Sequence, residues 1–128
     1  MFTVKLKEKF AQEFKNFPAF QQDKILDFIE IFQKFGLSDF TKYEGKISPS
    51  WAGLKITDTN YHYAKQNHLW HYHIGIPIYE QRHSKYKTSD VVLHFQWQKN
   101  STEIYLVDIY QHYMKTGSFY LPPNDYLQ

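Results

Sequence analysis

Seven histidines, eleven tyrosines and a single arginine carry most of the reactive chemistry in this 128-residue chain, which has no cysteine. The lack of cysteine excludes a disulfide framework, a thiolate nucleophile and a zinc–thiolate site. The densest segment is Leu69-Trp70-His71-Tyr72-His73-Ile74-Gly75-Ile76-Pro77. On a strand, residues two apart share a face, so His71 and His73 point one way while Trp70, Tyr72, Ile74 and Ile76 point the other. Val91 to Trp97 repeats the pattern, with His94 and Gln96 outward and Val91, Leu93, Phe95 and Trp97 inward. Ile104 to Tyr113 places Asp108, Tyr110 and His112 on one side and Tyr113 on the other. If the apolar faces pack on helices, neighbouring strands present His71, His73, His94 and His112 on one open surface.

Two chemistries use such a set. Imidazoles two apart on a strand can bind a transition metal, with His94 or Glu80 nearby, but no third ligand stands at a diagnostic spacing. Imidazoles and cations can instead cut RNA: a base activates the ribose 2′-OH, a cation stabilises the phosphorane, and an acid protonates the leaving 5′-oxygen. The second chemistry needs no metal, and the expectation is no metal and no cofactor. Phosphate contacts are expected from Glu80-Gln81-Arg82-His83-Ser84-Lys85-Tyr86-Lys87, where Arg82, the only arginine, lies among His83, Lys85 and Lys87. A planar guanidinium suits bidentate phosphate binding. Tyr110 and Tyr113 are candidates to stack on splayed bases.

The elements that must position these side chains follow from periodicity. Phe2, Val4 and Leu6 alternate with Thr3, Lys5 and Lys7, a short strand. Phe10, Phe14 and Phe17 run at helical spacing up to Pro18, and Ile25, Phe28, Ile29 and Phe32 form an apolar stripe ending before Gly36. Two helices, or one broken at Pro18, should cover one sheet face. Leu37 to Asn67 has no sustained period and reads as a long punctuated loop, which in a small domain signals binding or hidden secondary structure. Thr116 to Gln128 reads as a sheet-capping strap or a partner-binding end. The strand, helical layer, then three strands give an α+β fold, a single domain over residues 1–128 with a small twisted antiparallel sheet.

Composition agrees with one compact unit. The chain is 42% hydrophobic and 20% aromatic, enough for a core and inconsistent with intrinsic disorder. A net charge of +2 is too small to declare nucleic-acid binding by itself. No apolar run approaches the ~20 residues of a membrane span, and Met1 to Phe10 lacks the core of a signal peptide, so a cytoplasmic protein is expected.

The element order, together with the Leu69 to Pro77 run, Ser89-Asp90-Val91-Val92-Leu93-His94, Val107-Asp108, Leu121-Pro122, Tyr126-Leu127 and Tyr43-Glu44-Gly45-Lys46 before Ser48, resembles the RelE/ParE superfamily of bacterial toxins, in its YafO-type branch. The resemblance implies a RelE-like fold and a ribosome-dependent mRNA endonuclease. Its expected partners are a cognate antitoxin and the ribosome with mRNA in the A site. His71 and His73 fall where RelE-type toxins carry basic residues, and His112-Tyr113 resembles the terminal His-Tyr pair of the YoeB type. On that basis His112 is expected as general acid and His71 or His73 as base or phosphate donor. The arginine that opens the third strand in many relatives is absent, with Asp90 or Val91 in its place. Arg82 or Lys87 would have to replace its charge. ParE toxins share the fold but act on gyrase, so a non-catalytic gyrase inhibitor is the competing expectation, and a metal-binding HxH protein is a third.

Overall fold

The structure is a computed structural model and describes residues 1–128 other than His83, Lys85 and Thr116. The chain opens with β1 (Thr3–Leu6), α1 (Glu8–Phe14) and α2 (Ala19–Phe35). It continues through β2 (Ile47–Pro49), α3 (Thr59–Gln66), β3 (Leu69–Ile76), β4 (Val91–Gln96) and β5 (Glu103–Gln111). The five strands form one sheet in the order β1-β5-β4-β3-β2. The architecture is therefore α+β. None of the described helices is long and apolar enough to cross a membrane.

Helix α2 exists because its buried residues, Ile25, Phe28 and Phe32, recur at helical spacing. Pro18 directly precedes it, and it ends where the Gly36 N–H donates to the Phe32 carbonyl at 2.8 Å. Gly36 has φ of +66°, and a Cβ there would lie 2.5 Å from the Phe2 ring. Both the left-handed backbone and the packing of β1 therefore require glycine. The helices cover one sheet face through Phe10, Ile25, Phe28 and Phe32 against Tyr72, Leu93, Phe95, Leu106 and Ile109. Phe28 lies at the centre, stacked on Tyr72 at 4.9 Å between ring centroids. Removing such a ring costs ~3–5 kcal/mol.

Three sequence expectations change. The sheet is mixed: β1 pairs parallel with β5, Val4 opposite Ile104, while the other neighbours are antiparallel. A parallel neighbour needs a long crossover, and here everything between β1 and β5 supplies it. The stretch from Leu37 to Asn67 holds β2 and α3. Helix α3 is capped by the Asp58 carboxylate accepting from the Asn60 N–H at 2.8 Å, and its one buried residue is Ala64. A single small inward residue leaves no apolar stripe to read.

The third change concerns the face expected to be open. Ala64 of α3 meets Leu69, Val107, Leu121, Tyr126 and Leu127, so α3 and the C-terminal segment roof part of that face. Every residue of β3 is buried in consequence. A bulge in β5 contributes: His94 pairs with Asp108 but Phe95 pairs with Leu106, which leaves Val107 as the extra residue. Val107 thus joins the roof cluster while Leu106 and Ile109 pack on the helices.

Candidate functional site

Beyond the roof, at the end of the sheet where β4 begins and β5 stops, a cleft of about 560 Å³ opens. His71 and His73 line it together with His112, Gln111 and Tyr113. Lys46, Ser48, Glu80, Arg82 and Tyr86 line it as well. His71 and His73 share a face because β3 is regular there. His112, just past β5, is held by its N–H donating to the Asp90 carbonyl at 2.7 Å, which carries it across the start of β4. The result is a triangle of rings: His71–His112 5.1 Å, His73–His112 5.0 Å and His71–His73 5.7 Å between centroids. Phe119, returned over the site by the pairing of Tyr113 with Phe119, packs on His71 at 5.1 Å and His112 at 4.8 Å.

The partners of the two β3 imidazoles serve either tautomer. His71 Nδ1 lies 3.0 Å from the Ser50 hydroxyl, which can donate or accept. His73 Nδ1 faces both the Ser89 carbonyl at 2.9 Å and the Ser89 N–H at 3.1 Å. The carbonyl accepts from a protonated Nδ1 and the N–H donates to a bare one, so either tautomer keeps one of the two bonds to Ser89.

Burial holds all these imidazoles below their ordinary range. His71 is lowered well below it, first by desolvation and then by His94, His112, His73 and Lys46. His73 is lowered by desolvation, against a raising contribution from the Ser89 backbone. His112 falls to about 4 through desolvation, His73 and Lys46. At neutral pH the triangle is a set of uncharged lone pairs, which fits a base, a hydrogen-bond acceptor or a metal ligand.

Comparison with protein-family models, curated proteins and solved structures returned no match. The site therefore stands on its own geometry.

That geometry sorts the sequence candidates. His71, His73 and His112 come together. His94 does not reach the cleft: it is fully buried, enclosed by His71, Phe119 and Tyr120, and opposite Asp108. Burial lowers it to about 3. It was expected outward by alternation, and it does face that way, but the roof covers it. Arg82 lines the cleft, yet its guanidinium pairs with Glu80 at 2.6 Å. Lys87 turns to Glu44 at 3.0 Å instead of lining the cleft. Expected phosphate contacts thus have carboxylates against them, one from the loop itself and one from the segment before β2. His83 and Lys85 lie outside the described residues. Tyr113 enters the cleft because β5 stops at Gln111, whereas Tyr110 leans on Tyr120 at 4.4 Å and stays outside it.

Lys46 is the cation that reasoning from periodicity missed. It precedes β2 and lies beside the triangle, with its ammonium 4.5 Å from the Tyr86 ring centroid. Its position follows from Gly45, where a Cβ would lie 1.7 Å from the His73 carbonyl oxygen. Only glycine lets that backbone approach β3, so that the His73 N–H can donate to the Lys46 carbonyl at 2.9 Å.

Proposed function

We propose that this chain is the toxin of a type II toxin–antitoxin pair, a ribosome-dependent mRNA endonuclease of RelE-like fold that acts in the cytoplasm. The observation that carries the reading is the convergence of His71, His73 and His112 in one cleft rimmed by Lys46, Arg82 and Tyr113. The element order supports it as well: a first strand, a helical pair and terminal antiparallel strands are what the RelE/ParE resemblance implies.

In the proposed reaction an uncharged imidazole takes the proton of a ribose 2′-OH. The 2′-oxygen attacks the adjacent phosphorus, the bond to the 5′-oxygen breaks, and a protonated imidazole supplies that oxygen with a proton. The products are a 2′,3′-cyclic phosphate and a 5′-hydroxyl. His73, with Ser89 able to serve either tautomer, suits the base. His112, half-buried and in ring contact with Tyr113 at 4.3 Å, suits the acid, because an incoming phosphate anion raises the pKa of the imidazole it meets. Lys46 supplies positive charge beside the phosphorane, and Arg82 does so once RNA competes Glu80 away. Tyr113, exposed at the rim, offers a ring for a base to stack on. A cognate antitoxin and the ribosome with mRNA in its A site are the partners of this reading.

The test is induction without the antitoxin, followed by methionine and thymidine incorporation and by mapping of mRNA ends. Translation should stop first, with cuts bearing 2′,3′-cyclic phosphates. DNA synthesis failing first, with intact mRNA, would favour the gyrase-inhibitor reading.

A further inference from the structure

The same three imidazoles meet the geometric demands of a different ligand. His71, His73 and His112 each offer one ring nitrogen, and these atoms all lie within 4.8 Å of one another. Three points so spaced share a centre at most about 2.8 Å from each, so ring rotations moving the nitrogens by less than about 1 Å reach Zn–N lengths of ~2.0–2.1 Å. The outer contacts fit too. Metal-bound imidazoles usually donate their other N–H to an oxygen. Ser50 Oγ stands 3.0 Å from His71 Nδ1, and the Ser89 carbonyl 2.9 Å from His73 Nδ1, which leaves each Nε2 for the ion. His112 Nδ1 is buried without a hydrogen-bond partner among the described residues, so none of these competes with an ion for it.

We propose that His71, His73 and His112 form a three-imidazole site for a divalent transition-metal ion of the zinc type, with a fourth position open to the cleft, and that occupancy shuts off RNA cleavage. Nitrogen donors without carboxylate or thiolate select zinc-type ions over magnesium and calcium. Three protein ligands with an open position is the arrangement in which zinc retains an exchangeable water. The inhibitory half rests on the proposed nuclease reading: a lone pair bound to the ion can neither take a proton from a 2′-OH nor hold one for the 5′-oxygen. The binding half does not depend on it.

The experiment titrates the purified full chain, stripped by a chelator, with Zn²⁺ in a calorimeter and with Co²⁺ by its visible absorption. One ion per chain is expected, with the intense spectrum of a four-coordinate Co²⁺ site. His71→Ala, His73→Ala and His112→Ala should each weaken binding at least ~10-fold, and Ser50→Ala, which leaves all three ligands in place, ~10-fold or more. His62→Ala, on the exposed side of α3, should change nothing. Circular dichroism controls for folding, and the Ser50→Ala result stands even where a histidine variant fails to fold. Binding that does not saturate at one ion, or that survives loss of His73 or His112 in a folded chain, would overturn the site. Cleavage of ribosome-bound mRNA is then compared with chelator and with Zn²⁺. Cleavage only in chelator is expected, while cleavage that persists at saturating Zn²⁺ or requires it would overturn the switch. Saturable binding without cleavage in either buffer would leave the metal site standing and remove the nuclease reading.

Discussion

Replacing His94 with leucine should leave the protein at least as stable at neutral pH and should flatten its response to acid. His94 is fully buried, and neither ring nitrogen has a hydrogen-bond partner among the described residues. Each such group costs ~1–3 kcal/mol of desolvation, whereas a volume-conserving apolar swap usually costs less than ~1.5 kcal/mol. At pH 7.5 the two nitrogens, ~2–6 kcal/mol together, less a swap cost of up to ~1.5 kcal/mol, leave His94→Leu with a net gain of ~0.5 kcal/mol or more. Acid adds a second difference. The folded-state pKa of His94 is depressed to about 3 by burial, with His112 contributing. The imidazole is therefore neutral when folded and binds a proton when unfolded below its ordinary ~6.5, so its stabilising effect is present above that value and is lost as pH falls toward 3. At pH 5 the loss from this one group is about 2 kcal/mol, from ~1.36 kcal/mol per pH unit. Asp108, Tyr120, His71 and His112 face the site, and of these His71 is itself lowered by His94, so the variant should relieve His71 slightly and flatten the acid response further. The assay is urea unfolding of wild type and variant at pH 7.5 and pH 5. A His94→Leu protein destabilised by more than ~2 kcal/mol at pH 7.5, or one with the wild-type acid response, would mean that the folded protein stabilises this imidazole rather than merely burying it.

Asp108 carries the opposite sign: burial raises its carboxyl from 3.8 to about 6 despite bonds from Tyr120 and Ile109, so its contribution is present below 3.8 and is lost as pH rises through 6. Asp108→Asn should remove that loss, which opposes the gain that the buried imidazoles give on going from pH 4.5 to pH 7, so unfolding curves at the two pH values should differ more than in wild type. Gly45→Ala should destabilise by ~1–3 kcal/mol or more, read as a fall in melting temperature, because the new Cβ meets the His73 carbonyl oxygen and forces β2 away from β3. An unchanged melting temperature would mean that Lys46 is positioned by something other than this approach. Arg82→Ala should leave stability unchanged, since Arg82 is 77% exposed, but should weaken RNA binding and lower its salt slope by about 1. An identical slope would make the Glu80–Arg82 pair an ordinary surface contact.

The parts of the fold legible in sequence were those where many side chains repeat one instruction. The stripe Ile25, Phe28, Phe32 marks α2, and the alternation in Leu69–Ile76 matches β3 residue for residue. The common face of His71, His73 and His112 was legible for the same reason. Short elements were not: Ile47–Pro49 has three residues, too few for a period, and α3 turns only Ala64 fully inward. The roof depends on Ala64 and Leu69 meeting Val107 and Leu121, distant in the chain, so no local pattern announced that His94 would be enclosed. Lys46 escaped notice because its place in the site depends on the approach of Gly45 to β3. The Gly45-Lys46 pair ahead of a Pro-containing edge segment was the available signal. What the loop cations pair with was not legible either, since the pairing of Arg82 with Glu80 and of Lys87 with Glu44 depends on how the backbone folds.

Whether the cleft of His71, His73 and His112 cuts RNA by the proposed side-chain acid–base chemistry is decided by single-turnover cleavage of an mRNA seated in the ribosomal A site. Wild type is compared with His112→Ala and His73→Ala in chelator, with circular dichroism as the folding control. Each variant should lose ~10²–10⁴-fold in rate while keeping a native spectrum and the binding of the proposed antitoxin. Wild-type rates from a folded His112→Ala, His73→Ala double variant would contradict that chemistry.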